Sequence, residues 1–189
     1  MTAYNSIILA SGSPRRKQLL AEAGIVFSVQ TKPTDESYPE TMDVYQVPEF
    51  LAGKKALAFK SDLSADQIII AADTVVIHEK RILGKPSSNE EAFQMLKSLS
   101  GRSHEVVTGV CLLSLTREER FSDLTTVFFK SLSEEQINHY ISHYHPYDKA
   151  GGYGIQDWIG LIGVEKISGS YFNVMGLPVH LVYEKLQRP

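Results

Sequence analysis

The stretch Ser6-Ile7-Ile8-Leu9-Ala10-Ser11-Gly12-Ser13-Pro14-Arg15-Arg16-Lys17-Gln18-Leu19-Leu20 passes from an apolar, β-branched run directly into a helical pattern whose first turn carries three cations. The apolar run suits a buried strand, Gly12 permits a tight turn, Ser13 can cap, and Pro14 takes the first helical position, where its missing N–H costs nothing. A helix begun this way offers unpaired N–H groups, the positive end of its dipole and two serine hydroxyls, with Arg15 and Arg16 able to hold phosphate oxygens bidentately. A capped amphipathic helix with solvated charges would use the same residues, so the segment alone leaves both readings open. The switch from strand to helical periodicity recurs along the chain, without internal repeat or long linker, and predicts an α/β fold.

A length of 189 residues suits one domain, 1–189, folded as two lobes, and 43% hydrophobic content is ample for a core. The net charge of -3, from 19 basic and 22 acidic residues, provides no global field to draw the chain to nucleic acid or membrane, so a bound polyanion must be small and locally gripped. Cys111, the single cysteine, lies in the apolar run from Val106 to Leu115. It cannot form an internal disulfide and reads as a buried thiol of a reducing compartment. Met1 to Asn5 lack the basic and apolar regions of a signal peptide, and no stretch approaches a membrane span, so a cytoplasmic location is expected.

After the first helix, Phe27 to Thr31 reads as a strand, Lys32 to Met42 as a polar loop, and Asp43 to Asp62 as mostly helical, with Phe50, Leu51, Leu57 and Ala58 facing inward. Gln67 to Ala72 is a buried strand, and Val75 to His78 with Arg81 to Leu83 flank a hairpin turn at Glu79-Lys80. Ser87 with Glu90, or Ser88 with Glu91, opens a helix closed by Gly101. Ser103 to Leu115 and Arg120 to Leu132 form a long hairpin about Thr116–Glu119, Ser133 with Gln136 caps a helix to Ser142, Leu161 to Ile167 is a strand, and Pro178 starts a closing helix. The expected architecture is a mixed, elongated β-sheet with helices packed on it, in two lobes around a cleft.

Several polar groups fall where strands end. Asp73 and Thr74 interrupt the apolar run Ala71 to Val76, and a carboxylate there needs a cation, a metal, a water to activate or a structural salt bridge. Lys85 sits between Gly84 and Pro86, either held at a site or solvated in a turn. Lys54-Lys55 on a helix and Asp35-Glu36 in the polar loop each admit a surface reading beside a functional one, for the acids a hard-metal pair. Asp148 to Gln156 contains three glycines that let backbone approach a ligand, a tyrosine that could stack and an amide that could read a base edge. His139, His143 and His145 lack a cysteine or acid to complete a zinc set, and His78, His104 and His180 have no evident partners. No P-loop, dinucleotide-binding turn or nucleophile elbow occurs.

Taken in order, Ala10 to Arg16 with Leu19-Leu20, Asp35-Glu36, Lys55-Ala56, Ala72 to Val76, Lys85-Pro86, Gly101 with His104 and Val106, Thr108 to Val110, Lys149 to Gln156 and Gly169 to Pro178 resemble the Maf-like nucleotide pyrophosphatases, in particular the branch acting on dTTP and UTP. The resemblance implies a cleft that binds a nucleoside triphosphate and a reaction, assisted by Mg²⁺ or Mn²⁺, that cleaves between the α and β phosphates. It implies that Asp73 activates water, that Glu36 and Asp73 bind metal, and that Lys55 and Lys85 join them as catalytic groups. Ser11, Ser13, Arg15 and Arg16 would bind substrate, while Arg15, Thr74 and Gln156 match positions tied to base selection. The branch acting on 7-methyl-GTP carries glutamate at Gln156, and an uncharged amide, able to donate and accept, suits thymine or uracil. Gly152 stands where alanine is expected and Trp158 adds bulk, which bears on selectivity among dTTP, UTP and modified pyrimidine triphosphates. A 7-methyl-GTP enzyme and a nucleotide-binding regulator of septum formation are the alternative functions, no nucleic-acid or membrane partner is expected, and a homodimer is compatible with the resemblance.

Overall fold

The computed structural model describes residues 6–187; the reading of Met1 to Asn5 lies outside them. The elements run β1 (Ser6–Leu9), α1 (Pro14–Glu22), β2 (Ser28–Val29), α2 (Val47–Leu57), β3 (Gln67–His78), β4 (Arg81–Leu83), α3 (Asn89–Leu99), β5 (Ser103–Leu113), β6 (Glu118–Phe129), α4 (Glu134–Tyr144), α5 (Trp158–Gly163), β7 (Val164–Ser168), α6 (Tyr171–Met175) and α7 (Val179–Leu186). Their sheet has the order β2-β1-β3-β5-β6-β7, with β4 paired on β3. β1 runs parallel to β2 and β3, whereas β3 with β4 and β6 with β7 are antiparallel, so the sheet is mixed as expected. The backbone gathers into two compact units, one formed by the chain up to Thr74, Thr108–Asp123 and the chain from Gly176, the other by Val75–Val107 and Leu124–Met175.

In the first unit, Ile8, Ala10, Ile69, Ala71, Cys111 and Leu113 form one apolar cluster with Ala52, Ala56 and Phe59. Ala52 and Ala56 of α2 lie in this cluster with Ala58 packed against it, and Leu51 is buried as expected; the expected inward face is corrected at Leu57, which is exposed. A long-range contact seats the first turn of this helix. A Cβ on Gly109 of β5 would lie 2.2 Å from the Glu49 nitrogen, so only glycine lets the first turn of α2 approach so closely. Cys111 is buried, and burial pushes its thiol up to about 11.

Local signals account for most boundaries. The side chain of Ser13 caps α1, accepting from the Arg16 nitrogen, and Ser133 with Gln136 makes both bonds of a capping box at α4. At α3 the box is altered: Glu91 turns its carboxylate to the backbone and hydroxyl of Ser87, while Ser88 accepts from the Glu91 nitrogen. β3 is one continuous strand, and the turn after it places Glu79 and Lys80 at φ 49° and 61°, the double left-handed turn that suits the twist of a hairpin. The strand expected from Leu161 to Ile167 is corrected. Its first part is helix α5 and only Val164–Ser168 is extended, because Trp158–Gly163 is uniformly apolar and its periodicity cannot distinguish helix from strand. The turn between β5 and β6 closes earlier than expected, with the Ser114 nitrogen donating to the Arg117 carbonyl at 2.8 Å.

The second unit contains a buried aromatic group. The His104 ring meets Phe129 and Tyr153 edge-on, with centroids 5.1 and 5.3 Å away, and His104 Nε2 lies 2.7 Å from the Tyr153 hydroxyl. Burial, with His78 adding to it, lowers the His104 pKa from 6.5 to about 3. The unfolded chain therefore takes up a proton at this position near pH 6.5 that the folded chain refuses. Stability should be fully retained above that pH and fall as pH drops through the window, by about 2 kcal/mol at about pH 5. Urea unfolding at both pH values tests this, and a His104→Gln variant should lose most of the difference.

Candidate active site

The strand β3 is buried on either side of Asp73 and Thr74, and between Ile68 and His78 only these two positions open. Asp73 stays 15% exposed, and its Oδ1 receives the Lys55 ammonium at 2.5 Å. The same ammonium lies 2.7 Å from Glu36 Oε1, so two carboxylates converge on one cation. The two acids of the polar loop thus divide their work. Asp35 turns the chain, accepting from the Ser37 nitrogen at 2.9 Å and pairing with Lys54, while Glu36 reaches Lys55. Those bonds to Ser37 and Lys54 hold the Asp35 carboxyl well below its ordinary range.

Arg16 is fixed beside this group by neutral acceptors. Its Nε donates to the Gly176 carbonyl at 2.8 Å, Nη1 to Ser11 Oγ at 3.1 Å and Nη2 to Thr74 Oγ1 at 3.1 Å. Thr74 Oγ1 in turn lies 2.9 Å from Thr108 Oγ1. Burial lowers the Arg16 pKa, opposed by Asp73, assisted by Arg15 and opposed again by Glu36. A guanidinium has five N–H donors, so two remain for an anion, and no acid neutralises the first turn of α1. Ser11 also accepts from the Ser13 nitrogen, and Ser13 serves as the cap. Ser11, Ser13, Arg15, Arg16, Glu36, Lys55, Asp73 and Thr74 therefore all belong to the first unit.

Lys85 and Gln156 belong to the second unit. Lys85 is exposed and makes no hydrogen bond or ion pair among the described residues. The residue before it, Gly84, accepts from the Gly151 nitrogen at 3.0 Å, which ties the exit of β4 to the glycine-rich segment. Gly151 and Gly152 have φ of 69° and 72°, and a Cβ on Gly151 would press on Val76 at 3.0 Å. At the end of this segment the Gln156 Oε1 is buried with no hydrogen-bond partner among the described residues. A buried acceptor in that state favours a ligand that donates to it.

The groups that support these side chains carry no local sequence signal. The Gly176 carbonyl that takes Arg16 lies 160 residues along the chain, and no local pattern signals it. His104 gains Tyr153 as its partner, a correction to the reading that it had none, and His180 approaches Asp123 at 4.0 Å. His139 stacks on His143 and against Trp158. Among the described residues no three His, Cys, Asp or Glu side chains gather to hold a metal by themselves, and no helix is long and apolar enough to cross a membrane.

Comparison with known proteins bears out the resemblance. Residues 6–189 match the family model described as Maf-like protein. A dTTP/UTP pyrophosphatase of Bacteroides fragilis is 50% identical over 183 residues, covering 96% of this chain and 95% of its own. One of Phocaeicola vulgatus is likewise 50% identical over 183 residues, with the same coverage of 96% and 95%. Among solved structures, the Ham1 protein of Staphylococcus aureus aligns over 66% of this chain and 72% of its own, at 16% identity and a TM-score of 0.45.

Proposed function

The chain belongs to the Maf-like family, and we propose that it acts as a single domain, 1–189, that hydrolyses dTTP and UTP, and modified pyrimidine triphosphates, to the monophosphate and pyrophosphate. The observation that carries this reading is the pairing of a half-buried Asp73 with Lys55 and Glu36 beside an Arg16 that meets only neutral acceptors. A protein that only sensed nucleotides would need the cations but not an acid positioned among them.

In this reading Asp73 takes a proton from the water that attacks the α-phosphorus. A new phosphorus–oxygen bond forms, the bond to the α–β bridging oxygen breaks, and that oxygen leaves with pyrophosphate. Arg16 and Lys55 hold phosphate oxygens, with Ser11, Ser13 and Arg15 at the start of α1 beside them, and Lys85 is the further cation assigned to the phosphates. Positioning and fixed positive charge then supply most of the barrier reduction, as phosphoryl transfer requires. Arg15 and Thr74 are assigned with Gln156 to base selection, Gln156 by direct contact.

A divalent cation fits this site. Glu36 and Asp73 bring hard oxygen donors to the same Lys55 ammonium, near enough to each other to share a cation, and Mg²⁺ or Mn²⁺ is commonly held by one or two carboxylates together with substrate phosphates. Such an ion, held by Glu36 and Asp73, would offset phosphate charge and polarise the centre under attack. The free, buried Cys111 agrees with a cytoplasmic location.

A panel of nucleoside triphosphates, with pyrophosphate and orthophosphate assayed separately, tests the reading. dTTP and UTP should be hydrolysed fastest, with pyrophosphate as the only inorganic product. Arg16→Ala and Lys85→Ala should lower kcat/KM for every substrate and keep the base ranking, since phosphate contacts are common to all. Orthophosphate release, or preference for purine triphosphates, would sink it.

A further inference from the structure

We infer that Tyr140 and Asp157 are positioning residues for Gln156, forming a clamp that fixes where its amide is presented. This rests on the reading of Gln156 as the base-contacting residue. The Tyr140 hydroxyl donates to Asp157 Oδ2 at 2.6 Å and accepts from the Gly154 nitrogen at 3.0 Å, so one hydroxyl bridges the two sides of the turn that carries Gln156. The Asp157 nitrogen closes the same turn on the Gly154 carbonyl at 3.0 Å.

Three further features show what the clamp is built for. Asp157 stands at the N-cap position of α5 yet makes no side-chain capping bond there; its carboxylate is given to Tyr140 instead, with Lys149 Nζ 3.8 Å away. Aspartate at a helix N-cap ordinarily stabilises the helix, so that use has been given up for the turn. A Cβ on Gly160 would lie 1.9 Å from the Ile155 carbonyl oxygen, so glycine is required there for the chain to fold back past Gln156, and one on Gly154 would lie 2.5 Å from Asp157 Oδ2 and displace that carboxylate from Tyr140. Burial and the Asp157 carboxylate raise the Tyr140 pKa, which keeps the hydroxyl a donor across the working pH range. A side chain that reads a base by hydrogen bonds must be held to within a fraction of an ångström, and supporting contacts of this kind provide that.

The test compares dTTP, GTP and inorganic tripolyphosphate, the last of which offers phosphates without a base. In Tyr140→Phe the KM for dTTP should rise about 10-fold with kcat nearly unchanged, as expected for lost positioning of a binding group. The inhibition constant of tripolyphosphate should stay within about twofold, because the phosphate grip is untouched. Asp157→Ala should reproduce the loss, and Asp157→Asn, which still accepts from Tyr140, should restore most of the dTTP preference. Gln156→Ala is the reference: it should collapse the base ranking. If it does so while Tyr140→Phe and Asp157→Ala leave the ranking unchanged, or weaken dTTP and tripolyphosphate alike, the clamp is structural only and the inference is overturned with the reading of Gln156 intact. If Gln156→Ala itself leaves the ranking unchanged, that reading and the inference fall together. Should Tyr140→Phe not fold, the two Asp157 variants decide the matter.

Discussion

Asp73→Asn is expected to reduce kcat on the order of 10²-fold or more while leaving triphosphate binding intact, since removal of a general base alone costs about that much. The substitution keeps size and shape and removes only the charge and the proton-accepting oxygen. Substrate affinity should hold or tighten, because the Arg16 bonds to Ser11, Thr74 and Gly176 do not involve Asp73, and one negative charge near the phosphates disappears. Lys55 keeps Glu36 at 2.7 Å, so the cation is not stranded. Single-turnover hydrolysis of dTTP measures the chemical step, direct binding of dTTP measures the grip, and circular dichroism checks the fold. Retention of more than about a tenth of wild-type kcat would exclude Asp73 as the base.

That Asp73 needed a partner was legible, because a lone acid in the run from Ala71 to Val76 could not stay buried uncompensated. Which partner it takes was legible only through the family resemblance, which picks out Lys55, and not in the residues themselves. Lys55 lies 18 residues away on α2 and carries nothing to distinguish it from Lys54 beside it, which pairs with Asp35 instead. The rotation of α2 makes the difference, and its first turn is seated against Gly109 of β5, a distant part of the chain. Caps at Ser13, Ser88 and Ser133 were readable because a cap is made within a few residues of itself. The apolar run at α5 was not, since hydrophobicity without periodicity suits either element. The contacts that support the candidate site were likewise beyond local reading: Arg16 to Gly176, His104 to Tyr153 and Tyr140 to Asp157 join residues whose proximity only the fold creates.

Gln156→Glu should lower kcat/KM for dTTP by roughly 10- to 1,000-fold, as for a hydrogen bond replaced by a repulsion in a closed site. The buried Gln156 Oε1 has no partner among the described residues and suits the N–H of a thymine or uracil ring between its two carbonyls. The amide nitrogen can then donate to one of those carbonyls, so a single side chain satisfies a donor and an acceptor side by side. A carboxylate keeps the acceptor but replaces the donor with a second negative oxygen facing the carbonyl. It also sets a new charge next to Asp157, whose cation Lys149 is already shared with Asp148. A base that presents donors and carries positive charge suffers much less, so the dTTP to 7-methyl-GTP ratio of kcat/KM should fall steeply in the variant, with pyrophosphate still the product and the inhibition constant of tripolyphosphate little changed. An unaltered ratio would remove Gln156 from base recognition and direct the search to Gly152 and Trp158.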